Sequence, residues 1–229
     1  QLIGRGGVGE VYEGWQHTLE RPVAIKLLRL ELTANAAAIA RFEREARTTC
    51  LLRHPNVVTV IDVGTADEDG RHFVVMELLE GETLAKLLER QGRLPVDQAL
   101  DIAWQVIRGM TAGEEVGLVH RDLKPENIFV LDSEHVKVLD FGLATLLGPT
   151  SEEVDEDRDS AADDDAFDVD ADEPSDPRPA RLTRPGALMG TPRYMAPEQV
   201  HGWSADHRSD LYSFGIILFE MLAGRTPFL

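Results

Sequence analysis

His120-Arg121-Asp122-Leu123-Lys124-Pro125-Glu126-Asn127 is the stretch on which the reading of this chain turns. It sets Asp122 and Asn127 five residues apart in a polar loop, and Asp140-Phe141-Gly142 follows 18 residues after Asp122. Between the two motifs, 128–131 and 136–139 read as a short hairpin, which returns the second motif to the neighbourhood of the first. Two carboxylates and an amide gathered in this way supply hard oxygen ligands for Mg²⁺ and leave one carboxylate over as a base. The set of spacings is too specific to be a coincidence.

Upstream of this loop the pattern is that of strands. Gly4-x-Gly6-x-x-Gly9-x-Val11 is a glycine turn of a kind also found at dinucleotide sites, but those lie between a strand and a helix. Here Val11, Tyr12 and then Val23 to Lys26 follow, which favours a strand-turn-strand flap whose backbone N–H groups approach a phosphate chain without Cβ clashes. Val23-Ala24-Ile25-Lys26 puts a lysine inside an apolar strand. An Ala-rich segment, 35–52, carries Ile39, Phe42, Ala46 and Thr49 at helical spacing, and its polar face offers Glu45 as an ion-pair partner for Lys26. His54-Pro55-Asn56 ends that helix. Runs at 57–63 and 72–78, separated by Asp67-Glu68-Asp69-Gly70, form an antiparallel hairpin pattern.

Beyond Gly81 the pattern turns helical. Pro95 opens a helix with Leu100, Ala103, Val106, Ile107 and Met110 expected on its core face, and a second buried helix follows Asp210. The chain of 229 residues, 43% hydrophobic, has apolar material for two lobes sharing one interface. Its formal charge of −18 argues against a nucleic-acid binder, which needs clustered Lys and Arg. That charge is local: 151–176 holds 14 acidic residues against one Arg, and the remaining 203 residues carry −5. So acidic a stretch, with little more than Val154, Phe167 and Val169 to bury, is expected to stay a solvated, disordered loop. The single Cys50 is expected to be a small buried hydrophobe, its lack of a partner fitting a reducing compartment. No window reaches the ~18 apolar residues of a membrane span, and no signal peptide is apparent. A start without Met and an end on Thr226-Pro227-Phe228-Leu229 read as a fragment.

Taken together these motifs resemble a protein kinase catalytic domain of the serine/threonine branch, most closely the bacterial eukaryote-like (Hanks-type) kinases. The resemblance runs over essentially the whole chain. It implies an α+β, bilobal fold: 1–78 as an ATP-binding lobe with a small antiparallel sheet and one helix, and 79–229 as a mainly helical, truncated catalytic and peptide-docking lobe. It also implies ATP and Mg²⁺ (or Mn²⁺) as cofactors, and protein substrates bearing Ser or Thr, the chain itself among them by autophosphorylation. The catalytic domain is then expected in the cytoplasm, whatever anchor lies elsewhere.

Carried over position by position, Gly4, Gly6, Gly9 and Val11 would cover ATP, with Ile3 and Ala24 against the adenine. Lys26, paired with Glu45, would hold the α and β phosphates. Met76 falls at the gatekeeper position, Glu77 and Leu79 would offer hinge backbone groups, and Phe129 would floor the pocket. Asp122 would orient the substrate hydroxyl and accept its proton, Lys124 would steady the transferring group, and Asn127 with Asp140 would bind Mg²⁺. Lys124 and the run Gly190-Thr191-Pro192-x-Tyr194-x-Ala196-Pro197-Glu198 match the serine/threonine pattern. Arg121 beside Asp122 implies regulation by activation-segment phosphorylation, with Thr183 the leading site, Thr191 a further regulatory position, and Pro185 where the family often has a second threonine.

Two departures stand out. The segment from Asp140 to Glu198 is long, and its surplus, at about 150–181, coincides with the acidic run; it is either a tolerated surface insertion or a phosphate mimic that folds back on Arg121. The chain also stops soon after the Asp210 helix, so an exposed apolar surface and an unpaired, buried Glu198 carboxylate are expected. Two other functions compete with catalysis: a nucleotide-binding pseudokinase, and a docking module for basic partners built on the acidic run.

Overall fold

The computed structural model describes residues 1–6, 9–29, 39, 46, 48–67, 69–141 and 192–228. Its first part is a five-stranded antiparallel sheet in the order β1-β2-β3-β5-β4. The strands are β1 (Leu2–Arg5), β2 (Gly9–Gln16), β3 (Arg21–Leu28), β4 (Val60–Thr65) and β5 (His72–Glu77). β1 and β2 form the expected flap, with Gly4 opposite Val11. β3 lies at the centre, its Lys26 opposite Val11 on one side and Val74 on the other. Ile39, Ala46 and 48–51 are helical, with Ala46 and Thr49 buried as the spacing predicted. Phe42 and Glu45 lie outside the described residues.

The strand expected from residue 57 begins at Val60. The preceding turn has other partners: Val58 N–H donates to the Val138 carbonyl (3.0 Å), Val138 N–H donates to the Asn56 carbonyl (2.9 Å), and Thr59 N–H donates to Glu77 Oε1. A hydrogen-bonded group cannot also serve the β4–β5 ladder.

Past Gly81 a short strand precedes the helices. β6 (Gly81–Thr83) pairs with β7 (Ile128–Leu131), and β7 with β8 (Val136–Val138). Sequence reading missed β6 because three residues show no periodicity. Gly81, at φ +141°, sits where a Cβ would lie 2.2 Å from the Val130 carbonyl oxygen, so only glycine fits this close pairing. The helices are α1 (Leu84–Gln91), α2 (Val96–Glu115), α3 (Pro197–Val200) and α4 (His207–Ala223). The Thr83 hydroxyl caps α1 at Lys86 N–H, and the Asp206 carboxylate caps α4 at Arg208 N–H. Gly224, left-handed at φ +71°, ends α4.

The core face of α2 differs from expectation. Ala99, Ile102, Ala103, Val106, Gly109 and Gly113 are buried, whereas Leu100 (54% exposed) and Ile107 (38%) face outward with Val96 and Trp104. Small residues decide the face: Gly109 and Gly113 pack where a Cβ would sit 2.6 Å from the Asn56 carbonyl oxygen and 2.5 Å from the Phe141 ring. Close approach outranked side-chain bulk.

Two apolar clusters result. One joins Ala24, Leu28, Val58, Val74 and Met76 beneath the five-stranded sheet, and the other runs from Leu84 through α2 and β7–β8 to Ile217 and Met221 of α4. The architecture is the α+β, bilobal, protein-kinase-like one expected. Leu211, Phe219 and Phe228 are exposed. Among the described residues no helix is long and apolar enough to cross a membrane.

Candidate active site

Every backbone N–H from His120 to Asp122 is held by a side chain. Asp210, at the first turn of α4, accepts from His120 N–H (2.7 Å) and Arg121 N–H (2.8 Å), while Asp122 N–H donates to His120 Nδ1 (3.3 Å). Burial pushes the Asp210 carboxyl up, against the pull of His120, Arg121 and these two N–H bonds. The two carbonyls beside Asp122 are held as well. Gln199 Nε2 donates to the Arg121 carbonyl (2.7 Å), and Asn127 Nδ2 donates to that of Asp122 (2.8 Å). Arg121 (φ +64°) and Asp140 (φ +58°) lie in the left-handed region, where a non-glycine residue costs about 1–3 kcal/mol unless its surroundings hold it there.

Within this cage the Asp122 carboxylate meets Lys124 Nζ at 2.6 Å and Asn127 Nδ2 at 3.3 Å. Lys26, its side chain 7% exposed, forms an ion pair with Asp140 at 2.6 Å. Glu45, its expected partner, lies outside the described residues. Leu139 couples the two parts: its N–H donates to the Asn127 carbonyl (2.8 Å), and its carbonyl meets His120 Nε2 (2.7 Å). The Asn127 and Asp140 side chains therefore sit on backbone tied together at Leu139.

Around these charges Val11, Ala24, Met76, Leu79 and Leu139 belong to one apolar cluster, against which a flat aromatic base can pack. Ile3 is 47% exposed on β1, and Phe129 lies on β7 opposite Thr83. Gly4 and Gly6 have no protein atom nearer than 3.8 Å to a built Cβ, whereas at Gly9 that Cβ would sit 2.2 Å from the Leu27 carbonyl oxygen. The chain's own packing thus demands glycine at Gly9 alone of the three, and Gly4 and Gly6 leave a bare backbone facing whatever the flap covers.

The donor set fits a nucleotide with a hard cation. Both bonds recorded for the Asn127 side chain use its nitrogen, so its amide oxygen is the atom suited to a cation beside the Asp140 carboxylate. Among the described residues no group of three or more His, Cys, Asp or Glu could hold a metal. Two protein oxygens suit Mg²⁺, which keeps waters and takes substrate phosphates, and do not make a closed zinc cage.

Sequence reading assigned Glu77 only its backbone. Its side chain accepts from Lys137 Nζ (2.8 Å) and from Thr59 N–H (2.6 Å), and Lys137 Nζ also reaches the Val57 carbonyl (3.3 Å). Burial alone would raise the Glu77 carboxyl; Lys137 and Thr59 outweigh it and hold the carboxyl below its ordinary range. Lys137, Asp210 and Gln199 were all missed as site residues, since their roles depend on contacts far apart in sequence. The one available signal was a lone Lys in the apolar run Val136-Lys137-Val138.

Glu198 corrects a further expectation. It is half-buried and accepts a hydrogen bond from the Ser209 hydroxyl, which holds its carboxyl below the ordinary range, so it is neither buried nor unpaired. Cys50 is half-buried, and burial, with Asp62, pushes its thiol up and away from thiolate reactivity. Thr183, Thr191 and the acidic run lie outside the described residues.

A buried lysine on a strand paired with an aspartate, and a loop-borne aspartate held by a lysine and an asparagine, make a set of charges suited to phosphate groups and a hard cation. The protein kinase domain family matches residues 1–229, and the chain belongs to that family. It is 39% identical over 231 residues to serine/threonine-protein kinase pkn3 of Myxococcus xanthus, covering 99% of this chain and 37% of that protein. Against serine/threonine-protein kinase PknA of Mycobacterium tuberculosis it is 38% identical over 231 residues, covering 100% of this chain and 47% of that protein. The chain thus spans less than half the length of either relative. The crystal structure of the Mycobacterium tuberculosis PknI kinase domain superimposes with a TM-score of 0.70 at 23% identity, covering 99% of this chain and 74% of that one.

Proposed function

We propose that the protein carrying this chain is an ATP-dependent serine/threonine protein kinase, and that the residues gathered above are its working parts. The observation that carries this reading is the Asp122 carboxylate, held by Lys124 at 2.6 Å and by Asn127, on a loop tied by backbone bonds to Leu139, the residue before Lys26's partner Asp140. Asp122 accepts the proton of the substrate hydroxyl, and Lys124 places a positive charge where the transferring group gathers negative charge. Lys26 binds phosphate oxygens. Asn127 and Asp140 hold Mg²⁺, or Mn²⁺ in its place, which when bound neutralises charge on the phosphates.

Val11, Ala24, Met76 and Leu79 line the base pocket, with Ile3 above it and Phe129 below, and the Glu77 and Leu79 backbones face the adenine edge. Residues 1–78 form the nucleotide lobe and 79–229 the catalytic and docking lobe. The substrates are Ser and Thr side chains of proteins, this one among them, and the domain works in the cytoplasm, where ATP is supplied. Activation-segment phosphorylation at Thr183, sensed by Arg121 and with Thr191 as a further regulatory position, controls it. Retention of Lys26, Asp122 and Asp140 supports catalysis over a nucleotide-binding role alone.

The test compares the full-length protein with its Asp122→Asn variant, following phosphoryl transfer from labelled ATP to a basic protein. Asp122→Asn is expected to lose at least about 100-fold in kcat, the scale of a lost general base, while still binding ATP. Equal transfer by both proteins would overturn the reading.

A further inference from the structure

The peptide unit joining Arg121 to Asp122 sets the direction in which the Asp122 side chain leaves the backbone. One of its ends is held from within the loop, by Asp122 N–H donating to His120 Nδ1 (3.3 Å). The other is held from outside, by Gln199 Nε2 donating to the Arg121 carbonyl (2.7 Å) across 78 residues of sequence. The backbone entering this unit is itself strained, because Arg121 occupies the left-handed region at φ +64°, a conformation that persists only where its surroundings hold it.

Gln199 is fixed at both ends of its amide. Its Oε1 accepts from Ala196 N–H (3.1 Å) at the start of α3, and its Nε2 donates to Arg121. An N–H can only donate and a carbonyl can only accept, so the orientation of this amide follows from its partners. The residue thereby links the loop bearing Asp122 to the segment 192–197, which enters α3 directly and is anchored to α4 by the Tyr194 hydroxyl on Glu220 (2.7 Å) and the Ser213 hydroxyl on the Tyr194 carbonyl (2.7 Å).

We infer that Gln199 is a positioning residue for phosphoryl transfer: it locks the Arg121–Asp122 peptide and so registers the Asp122 carboxylate against the segment leading into α3. The inference rests on Asp122 being the base. It touches neither the Lys26–Asp140 pair nor the apolar base pocket, so its removal leaves nucleotide binding alone and acts on the chemical step.

Gln199→Glu in the full-length protein tests it, because a carboxylate keeps the acceptor for Ala196 N–H and sets an oxygen that repels the Arg121 carbonyl where the donor stood. The expected result is a fall in kcat of roughly 10- to 100-fold, the scale of an ångström-sized misplacement, with KM for ATP and the melting temperature nearly unchanged. Gln199→Met, which loses both bonds, is expected to lose kcat to the same degree. A residue acting through Asp122 is also non-additive with it, so Gln199→Glu placed on Asp122→Asn is expected to cost nothing further. A kcat within twofold of the parent for Gln199→Glu, a rise in KM for ATP matching the loss, or full additivity with Asp122→Asn would each overturn the inference. Undiminished transfer by Asp122→Asn alone would instead overturn the reading of Asp122 as the base, and this inference with it.

Discussion

Gly9 and Gly6 stand three residues apart in one motif yet answer to different demands. A methyl group at Gly9 would press on the β3 backbone, 2.2 Å from the Leu27 carbonyl oxygen, and backbone yields little. Gly9→Ala is therefore expected to destabilise the fold by about 1–3 kcal/mol, the range for overpacking, seen as a lower midpoint in thermal or urea unfolding. At Gly6 the nearest atom is the Gly9 carbonyl oxygen at 3.9 Å, ordinary contact. Gly6→Ala is expected to melt with the parent and, on the proposed reading of the flap, to raise KM for ATP, because the methyl group would meet the nucleotide rather than the protein. Residues of this kind were legible in the sequence: glycines at fixed spacing, Lys26 in an apolar strand, Asp122 and Asn127 in one loop. Gln199 was not, since its amide draws its meaning from Arg121, 78 residues earlier.

At the scale of elements, an ion pair joins β5 to β8. Glu77 ends β5, Lys137 is the middle residue of β8, and β8 leads through Leu139 to Asp140. The Glu77 carboxyl is depressed below its ordinary value of 4.5. A depressed carboxyl contributes stability above its unfolded value and loses it as pH falls through the folded one. Lys137→Met is thus expected to melt below the parent at neutral pH, with the gap narrowing as pH drops below about 4.5; melting curves from pH 7 to pH 3 check this, and a constant gap would refute it. The strands meeting here were legible from alternation and length. The face of α2 was not, because a helix read for its bulkiest residues hides a contact made by glycines.

Over the whole molecule, Gly109 is where α2 meets the turn that enters β4. Helix propensity alone would favour alanine there by about 1 kcal/mol, but its Cβ would lie 2.6 Å from the Asn56 carbonyl oxygen. Gly109→Ala is expected to destabilise despite that propensity, and Gly215→Ala in α4, with nothing within 4 Å, to stabilise by up to about 1 kcal/mol. Chemical denaturation of the pair measures both signs. The net charge of −18 was legible in the sequence, and so was its division into −13 over 151–176 and −5 over the other 203 residues. The bonds of Asp210 to the His120 and Arg121 amides span 90 and 89 residues. A ribosome adding about 5–20 residues per second leaves those amides without Asp210 for roughly 5–20 s. The 26-residue acidic run adds only about 0.3 kcal/mol to the logarithmic cost of closing that loop. The acidic run therefore lengthens the wait and weakens the closure by similar, small factors, each under about twofold, and the bonds that hold the His120–Arg121 amides are among the last a nascent chain acquires.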